Sequence, residues 1–67
     1  MQVVTEQVSK SGKVYRIVDD ANPAYNYHDY SVEEKHFDEG CTWWKKVSDN
    51  YSDINSANEK MDEFLKN

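Results

Sequence analysis

The sequence predicts an α+β fold: an antiparallel sheet of three or four strands with one C-terminal helix packed on one face. Two segments rich in β-branched residues at the N-terminus, separated by a glycine-containing turn, predict a β-hairpin. A run around two tryptophans, residues 41–47, predicts a central strand. The last third has apolar residues at helical spacing, and such a stripe needs a sheet to cover. With 67 residues, the chain is expected to form a single domain, 1–67.

The first two strands are expected at residues 2–8 and 13–18. Gly12 supplies the positive φ that a short loop over residues 10–12 needs. This loop predicts three cross-strand pairs: Val8 with Val14, Glu6 with Arg16, and Val4 with Val18. The hairpin would then carry an opposite-charge pair between apolar ones, which stabilises its register.

The middle of the chain shows less periodicity. Residues 19–30 predict a long loop, rich in acidic residues and tyrosine, with a turn at Asn22-Pro23. Loops of this length in compact domains are usually functional or disordered. The segment 31–37 has two interpretations, a strand or one helical turn capped by Ser31, and we favour the strand.

The two remaining elements have clearer patterns. In the strand over 41–47, Trp43 shares a face with Cys41 and Val47 while Trp44 lies on the other, and we expect at least one tryptophan in the core. Ser52 or Asp53 is expected to cap the C-terminal helix. The apolar stripe of this helix comprises Ile54, Ala57, Met61, Phe64 and Leu65.

Negative charge is concentrated in one block of the sequence. From Asp19 to Glu39 there are seven carboxylates and one lysine, a net −6, while the whole chain is −5. Tyrosines in the same block are residues typical of interface anchors. We therefore predict that the block binds a basic protein. A basic protein that itself binds nucleic acid is a specific case of this prediction. The candidate partner-binding residues are Asp19, Asp20, Tyr25, Tyr27, Asp29, Tyr30, Glu33 and Glu34.

Other chemistries have weak support in the sequence. The two glycines are too far apart for a phosphate loop, and no nucleophile stands in a catalytic motif, so we expect neither an enzyme nor a cofactor. His28, His36 and Cys41 are the residues a metal would use, but their spacing is unlike that of zinc sites, so no metal is predicted. A metal-stapled small domain stays as an alternative. The net negative charge argues against direct binding of nucleic acid.

The segment at the N-terminus lacks the pattern of a signal peptide, and no apolar run has the length of a membrane span. One cysteine allows no internal disulfide. These features predict a cytoplasmic protein that does not interact with membranes.

In build, the hairpin start, the segment Cys41-Thr42-Trp43-Trp44-Lys45-Lys46-Val47 and the closing amphipathic helix resemble small acidic accessory proteins of bacteriophages and mobile elements. That resemblance implies inhibition of a host protein, such as a nuclease or a transcription or defence factor, and assigns no residue a role. The resulting hypothesis is a protein-binding inhibitor that acts through segment 19–39, with partial mimicry of nucleic acid as one form of it. The main alternative is a homodimeric assembly module formed through an exposed strand edge.

Overall fold

A computed structural model describes all 67 residues and has the predicted α+β fold, with four strands. The antiparallel sheet has the strand order β1-β2-β3-β4, so that each strand pairs with the next in the chain. A single helix, α1, follows the sheet. The elements are β1 (Gln2–Val8), β2 (Val14–Asp19), β3 (Tyr30–Asp38), β4 (Cys41–Lys46) and α1 (Ile54–Leu65).

The hairpin of β1 and β2 has most of the predicted register. Val8 lies opposite Val14 and Glu6 opposite Arg16, and Gly12 adopts a φ of 87° in the loop. The predicted pair of Val4 with Val18 is wrong, because the register shifts between Val3 and Thr5 and brings Val3 opposite Val18. A bulge of this kind adds one residue to the edge strand and leaves the extra residue unpaired.

Strand β3 confirms the strand interpretation of the middle segment and is longer than expected, with nine residues. It pairs with β2 on one side and β4 on the other. A two-residue turn, Glu39 and Gly40, joins it to β4, and both turn residues have positive φ. Such a turn follows the twist of the strands that it joins.

The hydrophobic core lies between α1 and the two central strands. Its fully covered side chains are Tyr15, Ile17, Val32, Ala57 and Met61. Along β2 and β3 these core residues alternate with residues that face away from the helix. The two faces of the sheet therefore differ: α1 packs against one, and no helix packs against the other, although Val18 on that side is also fully buried.

Neither tryptophan belongs to this core, so the expectation of a core tryptophan is wrong. Trp43 is 46 % exposed and Trp44 is half-buried. The physical reason is that α1 lies over β2 and β3, whereas β4 is an edge strand.

Both ends of α1 are bonded to residues outside it. Asp53 is the N-cap, with its carboxylate 3.2 Å from the amide of Ser56. At the other end, amides of the β1–β2 loop donate to the carbonyls of Leu65 and Asn67. These bonds fix the helix relative to the hairpin. At twelve residues, many of them polar, α1 is too short and too polar to cross a membrane.

Candidate protein-binding site

The connection between β2 and β3, residues 20–29, is held closed by the carboxylate of Asp19. Its Oδ1 accepts from the backbone amides of Ala21 and Asp29, both at 3.0 Å. Its Oδ2 lies 2.8 Å from Nδ1 of His28. A single side chain thus joins the start of the loop to its end.

The hydrogen bonds to Asp19 also fix its charge. The amide of Asp29, the ring of His28 and the amide of Ala21 stabilise the carboxylate, and they lower its pKa to about 2 from an ordinary value of 3.8. Asp19 is therefore ionised at neutral pH, and it places a fixed negative charge at the base of the loop.

Further contacts hold the loop from within and from outside. Asn22 accepts from the amide of Ala24 through its side chain (2.9 Å) and from the amide of Tyr25 through its carbonyl (3.0 Å), which makes a tight turn around Pro23. The Asp29 carboxylate accepts from the side-chain amide of Asn50 at 2.6 Å. The loop is consequently tied to the segment that precedes α1.

The three tyrosines of this region have different environments. Tyr25 and Tyr27 are 64 % and 53 % exposed, with ring centroids 6.1 Å apart and planes tilted by 35°. Tyr30 is half-buried against the core, exchanges two 2.7 Å backbone hydrogen bonds with Tyr51, and stacks on the ring of His28. Two tyrosines are thus presented to solvent, and the third supports the loop.

A cleft of about 380 Å³ lies between this loop and the start of β1. No lysine or arginine lines it, and Asp19 contributes a carboxylate to its wall. Its lining comprises Met1, Gln2, Asp19, Ala21, Asn22, Pro23, Tyr25, Asn26, Tyr27 and His28. The tyrosines were predicted to lie in a loop, but the cleft was not predicted. The walls of the cleft come from segments about twenty residues apart, so no local pattern indicates it.

Glu33 and Glu34 lie on opposite faces of β3, as neighbours in a strand do. Glu33 accepts from Nε of Arg16 at 2.8 Å on the face away from the helix. The charge of this carboxylate is therefore compensated within the chain.

Glu34 lies on the helix side, opposite Tyr15 in the register. Burial of the Tyr15 hydroxyl, together with its hydrogen bond to Glu34, raises the pKa of Tyr15 to about 12. Glu34 Oε1 also lies 3.2 Å from Nε2 of His36. Its contacts are thus with Tyr15 of the neighbouring strand β2 and with His36 two residues along β3.

The eight predicted partner-binding residues therefore fall into two groups. Asp20, Tyr25 and Tyr27 are exposed on the loop. The others take part in contacts within the fold: Asp19, Asp29, Tyr30, Glu33 and Glu34. The exposed group, together with the Asp19 charge, forms the candidate site.

The face of the sheet away from the helix carries a second, mixed surface. The guanidinium of Arg16 lies 4.1 Å from the centroid of the Trp44 ring. The Lys35 ammonium lies 5.3 Å from the Phe37 ring and 5.9 Å from the Trp44 ring. These distances are typical of cation–π contacts, so the cations here already have partners within the chain.

The residues considered for a metal are not brought together. His28 contacts Asp19 at the loop, His36 stacks on Trp43 with centroids 5.7 Å apart, and Cys41 is exposed at the start of β4. No three side chains of the usual ligand types are grouped in a way that would hold a metal ion.

No family model, curated protein or solved structure matches this chain. Its function therefore has to be inferred from the residues and geometry described above.

Proposed function

We propose that this chain is a protein-binding module that places the loop 20–29, with the Asp19 charge at its base, against a basic surface of another protein and inhibits that protein by covering the surface. The observation that carries the proposal is the exposure of Tyr25 and Tyr27 on a loop fixed by the Asp19 carboxylate. Large aromatic side chains left in solvent on an ordered loop have no role in the core of this fold.

The closed loop favours binding because little order has to be gained when a partner arrives. Tyrosine has few rotatable bonds, and it combines a large apolar area with a hydroxyl, so it is common among the residues that dominate interface energies. Backbone amides of the loop donate hydrogen bonds to the side chains of Asp19 and Asn22, and these bonds fix the backbone around the two rings in the free protein. Such preorganisation lowers the entropy cost of association.

The charge of the loop selects the kind of partner. Asp20 is exposed beside the fixed charge of Asp19, and no lysine or arginine lines the cleft. Carboxylates around aromatic anchors attract a basic surface and increase the rate of encounter. Where the basic surface is a groove for nucleic acid, these carboxylates would compete with phosphates. Glu33 and Glu34 contribute less, because both have partners within the sheet.

The test is affinity capture from a bacterial lysate, with mass spectrometry of the retained proteins. The wild-type chain is compared with Tyr27→Ala and with Phe37→Ala, which removes a ring that is more exposed (67 % against 53 %) at the far end of β3. We expect a basic protein that the wild type and the Phe37 variant retain at low salt, and that the Tyr27 variant loses.

The association rate with that protein, once purified, should fall steeply as ionic strength rises. Inhibition of its activity by the wild type, and not by Tyr27→Ala, would complete the test. A partner that is retained equally by all three chains, or whose association does not depend on salt, would contradict the proposal.

A homodimer is a second candidate function, favoured by one observation. The edge strand β1 exposes Val3, Val4 and Val8. Apolar edge strands pair readily with a second copy, although a bulge such as that at Val4 opposes this pairing. Sedimentation equilibrium over a wide concentration range tests the homodimer. A dimer that Val8→Lys dissociates would support this second function, and a monomer at all concentrations would exclude it.

A further inference from the structure

We propose that the cleft beside Tyr25 and Tyr27 receives a cationic side chain of the partner, the ammonium of a lysine or the guanidinium of an arginine. This inference rests on the proposed function, since it assigns the part of the loop that recognises a basic protein. Its volume of about 380 Å³ is near the lower end of the range for ligand pockets, roughly 300–1,000 Å³. A space of that size is large enough for one long side chain.

The first argument is the pair of aromatic rings. A cation is attracted to the face of a tyrosine ring within about 6 Å of its centroid. The Tyr25 and Tyr27 centroids are 6.1 Å apart, and both residues line the cleft. A cation in the cleft can therefore lie within that distance of both centroids.

Neither ring is occupied by a cation of the chain itself. The cation–π contacts of Arg16, Lys35 and Lys60 are with Trp44, Phe37 and Phe64. The two loop tyrosines are thus the exposed aromatic pair whose faces have no such partner within the fold. This distinguishes the cleft from the mixed surface on the open face of the sheet.

The second argument is charge. The wall of the cleft contains the Asp19 carboxylate and no lysine or arginine side chain, and the α-ammonium of Met1 is the one cation that the lining residues bring. Besides Met1 and the tyrosines, the wall has one more titratable group, His28, whose Nδ1 is directed at Asp19 at 2.8 Å. An anionic ligand would meet the Asp19 charge, whereas a cation would complement it.

The third argument concerns the chain of methylenes that carries the charge. Lysine and arginine lay their methylenes along apolar surface while the charged end finds a polar partner. Ala21 and Pro23 supply apolar wall on one side of the cleft, and the tyrosine rings supply it on another. The cleft therefore has a place for the stem as well as for the charge.

The test is an NMR titration of the full chain with three capped peptides that differ at one residue: lysine, arginine or Nε-acetyl-lysine. The acetylated peptide keeps the stem and removes the charge. We expect the lysine or the arginine peptide, at tens of millimolar, to shift the ring resonances of Tyr25 and Tyr27 and to leave those of buried Tyr15 unchanged. The acetylated peptide should bind at least several-fold more weakly, and a comparison of the two cationic peptides identifies the preferred group.

Two variants complete the experiment. Tyr27→Phe keeps a ring and should retain binding, whereas Tyr27→Leu removes the ring and should abolish it. Equal shifts with the acetylated peptide, no shift at Tyr25 and Tyr27, or shifts confined to Trp44 would overturn the assignment. If the captured partner is nevertheless lost with Tyr27→Ala, the proposed function holds and only the role of the cleft is wrong. If no partner is captured, the proposed function fails by itself.

Discussion

The carboxylate of Asp19 is the residue on which the conformation of the loop depends most. It accepts hydrogen bonds from two backbone amides, one at each end of the loop, and contacts the ring of His28. Removal of its charge weakens all three interactions together, because hydrogen bonds to an ionised acceptor are stronger than those to a neutral one. A change at Asp19 should therefore act on the loop before it acts on the core.

This arrangement predicts a stability that depends on pH through Asp19. Because its pKa in the folded state is about 2, below the ordinary 3.8, the ionised side chain stabilises the fold above pH 3.8. That contribution is lost as the pH falls from 3.8 through about 2. Urea unfolding at a series of pH values should show that Asp19→Asn lowers stability at neutral pH and removes this part of the acid dependence.

Asp20→Asn is the matched control, since its side chain is exposed next to Asp19. It should leave both the neutral stability and the acid dependence close to those of the wild type. If the two variants gave the same pH profile, the role assigned to the Asp19 hydrogen bonds would be wrong.

Part of this role follows from the sequence and part does not. An Asp that bonds to the amide two residues later is a common local turn, and Asp19 with Ala21 has that form. The bond to the amide of Asp29 spans ten residues and exists only once β2 and β3 have paired. The acidic composition of the segment therefore placed Asp19 among the predicted partner-binding residues. In the structure, its hydrogen bonds are formed within the fold.

At the scale of elements, α1 begins where the side chain of Asp53 accepts a hydrogen bond from a backbone amide of the first turn, one that has no partner within the helix. Asp53 accepts from the amide and the hydroxyl of Ser56, both at 3.2 Å. Loss of such a cap costs about 1 kcal/mol of stability. We expect Asp53→Ala to lower the free energy of unfolding by about that amount, measured by urea denaturation followed by circular dichroism.

Ser52→Ala is the control for this prediction, because Ser52 was the other cap candidate in the sequence and is exposed outside the helix. It should have little effect. A larger loss for Ser52→Ala than for Asp53→Ala would show that the helix begins elsewhere.

The strands show which elements local sequence determines. Gly12 and the two β-branched runs predicted the hairpin and most of its register, because its turn chemistry and cross-strand pairs are close in sequence. The length of β3 depends on its two neighbours, and a nine-residue strand with mixed polarity is stable only between them. The exposure of Trp43 likewise depends on which strands the helix covers, and that is set by tertiary packing.

At the scale of the whole molecule, the acidic block of the sequence does not become one acidic surface. Its carboxylates are divided between the loop, the two faces of β3 and the β3–β4 turn, where Asp38 and Glu39 are exposed. The net charge of the block predicted a surface, but strand alternation separated Glu33 from Glu34. The proposed binding surface is confined to the loop, where tyrosines and charge are together and the sheet does not impose alternation.

The helix stripe provides the stability on which this loop relies, and it does so with few residues. A domain of this size buries only about 60 % of its unfolded surface, and at roughly 0.05–0.15 kcal/mol per residue its 67 residues give a total stability of roughly 3–10 kcal/mol. Met61 is 1 % exposed at the centre of the core. Its replacement by alanine leaves a cavity and costs about 2–5 kcal/mol.

Met61→Ala should therefore lower the melting temperature by about 10 °C or more, whereas Phe37→Ala, at an exposed ring of the same sheet, should leave it nearly unchanged. Thermal melts followed by circular dichroism test the pair. Because the loop is anchored to β2, β3 and the segment before α1, Met61→Ala should also lower the apparent affinity for a captured partner. A stably folded Met61→Ala chain would mean that the stability lies in the sheet rather than in its contact with α1.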